Sequence, residues 1–400
     1  MTSPIRRLLA GRTCAAFATA LIPTTLTLAV VRSGSAADLG IVLAAELVPM
    51  LLLLPVAGVA ADRFPARRVV LAADLVRAAA QFGTGILLLA GPVQVGLLAV
   101  LAAATGVGVA FGNPSARTLV AAVVPAPDRL RTNARLGVAG GIAQIAGPAT
   151  AGGTVLALGA GWSSLLTAAL FAGSAFTLGG LRPLQAPAAR VRAGFAAELR
   201  GGWAEARRHP WFLANALAHG VWHLAAGLLL TLGPLIAVES LGGAGSWVVV
   251  AQVGTAGLLA GVWAAGRLPI RRPLYGVAVG AAAQALPLAA FALRLPLGVT
   301  AAAYFAAMFG LGVLSPLWET ELQRRIPLEA LGRVGSFDTL ISFASRPLGL
   351  AVAAPLAAAA GTAVPLLAAA ALSAAANLGV LLLPDVRAAD SEREPAPALR

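Results

Sequence analysis

Twelve apolar runs of about 20 residues, separated by short arginine-bearing turns, constrain this chain more than any other feature. A run of that length crosses roughly 30 Å of hydrocarbon as a helix, and inside hydrocarbon each backbone N–H and C=O must find its partner within the span. Turn signals divide the runs into predicted spans at 13–31, 39–61, 69–90, 93–116, 136–158, 162–181, 211–235, 246–266, 273–293, 297–317, 335–360 and 363–383. Composition agrees. With 59% hydrophobic and 11% charged residues and a mean hydropathy of +0.85, the 400-residue chain has more apolar surface than a water-soluble fold can cover. The first run follows Arg6, Arg7 and Arg12 and is too long for the apolar core of a signal peptide, so it is expected to be a retained span. The fold class expected is an all-α membrane protein with 12 transmembrane helices.

All 29 basic residues are arginine, and the net charge is +13. Charge of this sign and size suits nucleic acid, but here it is scattered between apolar spans and forms no stripe or tail, so no nucleic-acid partner is expected. The arginines follow topology instead. With the N-terminus in the cytoplasm, 24 of them lie on the cytoplasmic side, Arg32 and Arg294 lie outside, and Arg77, Arg117 and Arg346 remain within spans. Such an excess places both termini in the cytoplasm. The lone cysteine, Cys14, permits no internal disulfide and no zinc pattern.

The chain also repeats itself. Ala60 to Arg68 and Ala264 to Arg272 share Ala, Ala, Arg, Pro, Arg and Arg at an offset of 204. Pro114, Thr118, Pro125 and Arg131 match Pro316, Thr320, Pro327 and Arg333 at an offset of 202. Two pseudo-symmetric six-helix bundles follow: an N-terminal one over 1–181 and a C-terminal one over 211–384, joined by a cytoplasmic loop over 182–210. Residues 198–208 of that loop have the pattern of an amphipathic helix, and 385–400 are expected to be a disordered cytoplasmic tail. Parallel repeats of this kind are a transporter arrangement, with substrate bound near the midplane between the halves.

Gly58, Asp62, Arg63, Arg67 and Arg68, in the turn between the second and third spans, resemble the loop signature of the Major Facilitator Superfamily. Asp74 to Arg77, Pro114 to Ala134, Leu241 to Trp247, Trp318 to Gln323 and Pro327 to Asp338 resemble its enterobactin-exporter and macrolide-efflux branch of bacterial permeases. The resemblance covers nearly the whole chain and implies a multi-pass protein of the bacterial cell membrane. It implies a gating role for the Gly58–Arg68 turn. Asp62 is expected to pair with Arg67 or Arg68, or to sit by the positive N-terminal end of a helix from the other half, closing the cytoplasmic side. The second turn has Gly266 where the first has Asp62, so it is expected to act as a topological anchor. Gly147, Pro148 and Gly152 in span five match the pattern that accompanies exporters in the superfamily. Physically, small residues let helices approach and proline loosens the helical ladder.

Ionisable groups inside spans are costly, so each is a functional candidate. Glu46 lies about 10 Å from the outer face with no partner in its own span, as a candidate proton carrier or an outer-mouth carboxylate. Relatives often carry an acid in the first span; none stands there here, so Glu46 is the leading substitute. His219 and His223 share one helix face and are either packed neutral histidines or groups facing substrate or proton. No third ligand accompanies them, so no metal is expected. Arg346, beside Pro347, needs a partner or an anionic ligand; Asp338, two turns earlier, reaches it only along the helix and can instead meet the Asp62 region. Asp74 and Arg77 are three apart and can satisfy each other. Arg117 and Glu319 occupy equivalent repeat positions with opposite charge, as a candidate link between halves.

No phosphate-binding loop and no catalytic constellation is present, so neither direct ATP use nor enzyme activity is expected, and no cofactor. The expected function is secondary active efflux of a small amphipathic compound, such as a drug, siderophore or secondary metabolite. Proton antiport with alternating access would drive it, and the protein would act as a monomer in the lipid bilayer. Uptake or uncoupled permeation is the alternative within transport; a non-transporting membrane sensor or scaffold is the alternative outside it.

Overall fold

The computed structural model describes residues 3–31, 36–91, 94–181 and 194–387, and among these it is helical without strands. The expectations for Arg32, for 182–193 of the central loop and for 388–400 of the tail lie outside the described residues. Among the described residues, twelve helical stretches are long and apolar enough to cross a membrane. The helices are α1 (Ser3–Val31), α2 (Ala36–Arg63), α3 (Ala66–Ala90), α4 (Val95–Val123), α5 (Arg129–Leu158), α6 (Ala160–Gly179) and α7 (Phe195–Arg207), followed by α8 (Pro210–Ser240) and α9 (Ala244–Ala265). Then come α10 (Pro273–Ala282), α11 (Ala285–Ala292), α12 (Leu297–Arg325), α13 (Leu331–Phe343), α14 (Ser345–Ala360), α15 (Ala363–Gly379) and α16 (Pro384–Arg387).

Two spans are each divided into two helices, and proline explains both. Pro287 has no N–H to give to the carbonyl of Ala283, and α10 and α11 are separated at Ala283 and Gln284. Pro347 likewise leaves the carbonyl of Phe343 without its helical donor, and α13 gives way to α14 at Ala344. Other helices outrun their apolar cores. α1 begins at Ser3 and not near 13, and α4 continues to Val123, two turns past the predicted 116. Arginine and proline lower local hydropathy there without interrupting the helical ladder. The amphipathic segment of the central loop is α7.

Packing divides the chain into two compact units. The first is Met1–Glu205 with Leu322–Phe337; the second is Ala206–Glu321 with Asp338–Arg400. The end of α12 and the start of α13 therefore pack with the N-terminal helices. In the first unit α2 lies against α4, α3 against α4 and α6, and α1 against α5 and α6. Its core has a layer around Leu8, Val70, Leu119 and Leu178 and another around Ile22, Leu98 and Phe171. In the second unit α8 packs on α14 and α15, and α15 on α10 and α11, around Leu232, Ile236, Phe291 and Leu366.

Candidate functional site

The first unit contains a polar clamp built on the Gly58–Arg68 turn. Helix α13 begins at Leu331, so the amides of Gly332 and Arg333 fall in its first turn and have no carbonyl of their own helix to bond. Asp62, at the end of α2, supplies the acceptors. Gly332 N–H donates to Oδ1 at 2.7 Å, Arg333 N–H to Oδ2 at 3.1 Å, and Arg333 Nε to Oδ2 at 2.7 Å. A carboxylate thus caps a helix from outside it, aided by the helix dipole and an ion pair. The side chains of Arg333 and Asp62 are 12% and 5% exposed, so water screens the pair little.

The helices can meet here because both carry glycine at the contact. A Cβ on Gly58 would lie 2.6 Å from Ser336 Oγ and 2.9 Å from Arg333 Cα; one on Gly332 would lie 2.5 Å from Ala61 Cβ and 2.9 Å from the Gly58 carbonyl. Helix α7 reinforces the clamp. Glu198 accepts from Arg63 Nε at 3.0 Å, and its carbonyl accepts from Arg333 Nη1 at 3.0 Å. Trp203 meets Phe337 with ring centroids 5.4 Å apart.

Of the two partners open to Asp62 in the sequence, the structure places it at the helix N-terminus. Arg67 serves another end: its Nη1 donates to the carbonyls of Gly179 and Leu181 at 2.9 and 2.8 Å, capping the C-terminus of α6. Arg68 is exposed. The second copy of the turn makes local contacts: Arg267 donates to the Trp263 carbonyl at 3.3 Å and covers its ring at 4.2 Å. Arg271 and Arg272 are exposed.

Deeper in the same unit lies a buried charge cluster. Asp74 takes hydrogen bonds from Arg77, from Arg12 at 3.2 Å and from Ser174 at 2.6 Å. The expected Asp74–Arg77 pair is present, and Arg12 and Ser174 are additions that sequence spacing did not signal. Arg77 lies over the Phe171 ring at 4.4 Å. Small residues of α4 make room for it, since a Cβ on Gly108 would come within 2.5 Å of Arg77 Cγ. Its Nε has no hydrogen-bond partner among the described residues. Glu46, half-buried on α2, lies within electrostatic reach of Arg77. Two guanidinium groups and one carboxylate leave one excess positive charge, and an ionised Glu46 would balance it.

Span five is a single continuous helix through Pro148. A Cβ on Gly147 would sit 2.5 Å from that of Ala20, so α5 and α1 are closely packed there, whereas nothing lies within 4 Å of one on Gly152. Arg117 donates to the Gly335 carbonyl at 3.1 Å within the first unit, and Glu319 is half-buried in the second.

In the second unit His219 and His223 are packed among rings. His219 stands edge-on to Trp318 at 5.1 Å, and His223 faces Phe343 at 4.0 Å. Asp338 does not pair with Arg346; it accepts from Trp318 Nε1 at 3.2 Å on each oxygen. No group of three or more metal-ligating side chains occurs among the described residues.

The sequence and the fold have counterparts among known proteins. Residues 8–350 match the family model described as Major Facilitator Superfamily. The multidrug efflux pump Tap of Mycolicibacterium fortuitum is 28% identical over 381 residues, covering 91% of each chain. The pump of that name from Mycobacterium tuberculosis H37Rv is 30% identical over 378 residues, covering 90% of this chain and 88% of the relative. The fucose:proton symporter FucP of E. coli superposes with a TM-score of 0.79 over 95% of this chain and 98% of that one, at 15% identity. A bacterial homologue of the iron transporter ferroportin, in an outward-facing state, gives 0.78 over 96% and 99%, at 17% identity. At those identities the two solved structures speak to the fold alone.

Proposed function

The chain belongs to the Major Facilitator Superfamily, and from that premise we propose a secondary active efflux permease of the bacterial cell membrane, acting as a monomer. It exports a small amphipathic compound in exchange for protons by alternating access. The observation that carries the reading is the Asp62 clamp. A capped helix start, one ion pair and a glycine–glycine contact form a closure that is specific in shape yet small enough to break in each cycle. Segment Leu322–Phe337 continues in sequence into α12 on one side and past Asp338 on the other, so release of Asp62 frees a segment tied covalently to the second unit. The arginine distribution supports a cytoplasmic location for both termini and the clamp.

Efflux as the direction is supported by the names of relatives that align along about nine-tenths of this chain, and by the Gly147–Pro148 pattern of span five, where Gly147 packs closely on Ala20. Proton coupling is supported by Glu46 beside the positively charged Arg12–Asp74–Arg77 cluster. Protonation of Glu46 removes the compensating charge and unbalances the cluster, which gives a proton a way to alter helix packing. The test is whole-cell export from an efflux-deficient bacterium expressing the chain. Lower accumulation of amphipathic dyes, abolished by a protonophore and by Asp62→Asn, is expected. Accumulation unchanged across a broad dye panel, or raised in a protonophore-sensitive way, contradicts the proposal.

A further inference from the structure

The second unit holds a half-buried cation, Arg346, that forms no ion pair among the described residues. Arg346 stands in the first turn of α14, just past the break at Ala344, in the span Leu331–Ala360. At 1.5 Å per residue it is about 20 Å along the helix from either end, beyond the reach of a lipid headgroup. A cation at that depth faces the bundle interior or a wet cavity and requires something negative.

Its placement is fixed by close packing. A Cβ on Gly227 would lie 2.7 Å from the Arg346 carbonyl, and one on Gly349 would strike the carbonyl of Leu224, so α8 and α14 touch backbone to backbone. Ser345 Oγ donates to the Gly220 carbonyl at 2.5 Å. His223 lies between Gly220 and Gly227 on the face of α8 that meets α14, and both it and Tyr304 on α12 lie within electrostatic reach of the guanidinium. Among the described residues none of the three has a hydrogen-bond partner, and Nδ1 of His223 is buried as well.

The described carboxylates of the unit stand elsewhere. Asp338 is engaged by Trp318, two turns back along the span. Glu239 lies about 24 Å along α8 from His223, and Glu319 and Glu321 lie more than about 20 Å along α12 from Tyr304. Asp385 is on α16, after the last span.

We propose that Arg346, Tyr304 and His223 form a recognition site for an acidic group on the transported compound, which makes the cargo a small amphipathic organic acid. A carboxylate matches the planar fork of the guanidinium, and the tyrosine hydroxyl can donate to the same oxygens. Phe343, 4.0 Å from His223, and Trp247, 6.3 Å from Tyr304, offer ring surface for an apolar body. Naming the ligand a cargo rests on the efflux reading; recognition of the acid does not, and it is tested by binding.

The probes are dansyl-leucine and its methyl ester, which share a body and differ in the anionic group. Binding to the full chain in nanodiscs is followed by energy transfer from tryptophan. The acid is expected to bind about tenfold more tightly than the ester. Arg346→Gln is expected to weaken the acid far more than the ester, so that the preference is lost, and an unfolding temperature near that of the wild type shows that the variant is folded. Arg346→Lys keeps part of the preference, and Tyr304→Phe weakens the acid alone. An acid that binds no better than the ester, or does not bind, overturns the proposal, as does a preference that survives Arg346→Gln. If Arg346→Gln does not fold, an unchanged preference in both Arg346→Lys and Tyr304→Phe overturns it. Acid preference in a chain that exports no dye keeps the site and removes the efflux reading; export without acid preference does the reverse.

Discussion

Asp62→Asn tests the clamp at the level of single hydrogen bonds. Asparagine keeps one acceptor oxygen, but its second head atom becomes an NH2 that points donors at donors. The change removes one charge-assisted bond and takes the charge from behind the other two. Hydrogen bonds to charged groups contribute about 1.5–3 kcal/mol each, and the pair with Arg333 is largely shielded from water, so the expected loss is ~2–3 kcal/mol. That is roughly a 30- to 150-fold shift of the closed-to-open ratio of this contact. Hydrogen exchange reads it directly, because the amides of Gly332 and Arg333 sit in a first helical turn and owe their protection to Asp62. Peptides covering 331–337 are expected to exchange faster in Asp62→Asn by about that factor, and export is expected to fall. Asp128→Asn, which changes an exposed acid, is the control. Unchanged exchange over 331–337 in Asp62→Asn refutes the clamp as described.

Further outcomes follow from the same contacts. Gly332→Ala sets a methyl against Ala61, Asp62 and the Gly58 backbone and is expected to lower dye export at least as much as Asp62→Asn, whereas Gly152→Ala, with open space around it, stays near wild type. Glu198→Gln breaks a partly exposed pair with Arg63 that is worth about 0.2–1 kcal/mol, so export falls no more than a few-fold in the same assay. Arg77→Leu leaves Asp74 with only Arg12 and Ser174; breaking a buried pair from one side costs about 3–5 kcal/mol, seen as a lower unfolding temperature of the purified protein.

What was legible in the sequence follows from the range over which each signal acts. The spans could be read because twenty consecutive apolar residues in lipid have few alternatives to a helix. The duplicated turn exposed the two halves, and loss of the acid at Gly266 singled out Asp62 as the special copy. Its partner was not legible. Arg333 is the repeat counterpart of Arg131, which is exposed, and only packing decides which of two equivalent arginines meets an acid. Arg12 and Ser174 escaped for the same reason, since they reach Asp74 from helices 62 and 100 residues away. The division of the eleventh span at Ala344 was signalled by Pro347, but the placing of Tyr304 within electrostatic reach of Arg346 had no sequence signal at all.

The most direct test of proton-driven efflux is made in everted vesicles carrying an established pH gradient. Adding amphipathic organic acids and dyes from a broad panel, at constant gradient strength before each addition, is expected to release protons from vesicles with the wild-type chain. Vesicles carrying Glu46→Gln are expected to release none. Proton release that is the same in Glu46→Gln and wild type, or compound movement that does not depend on the gradient, contradicts the account.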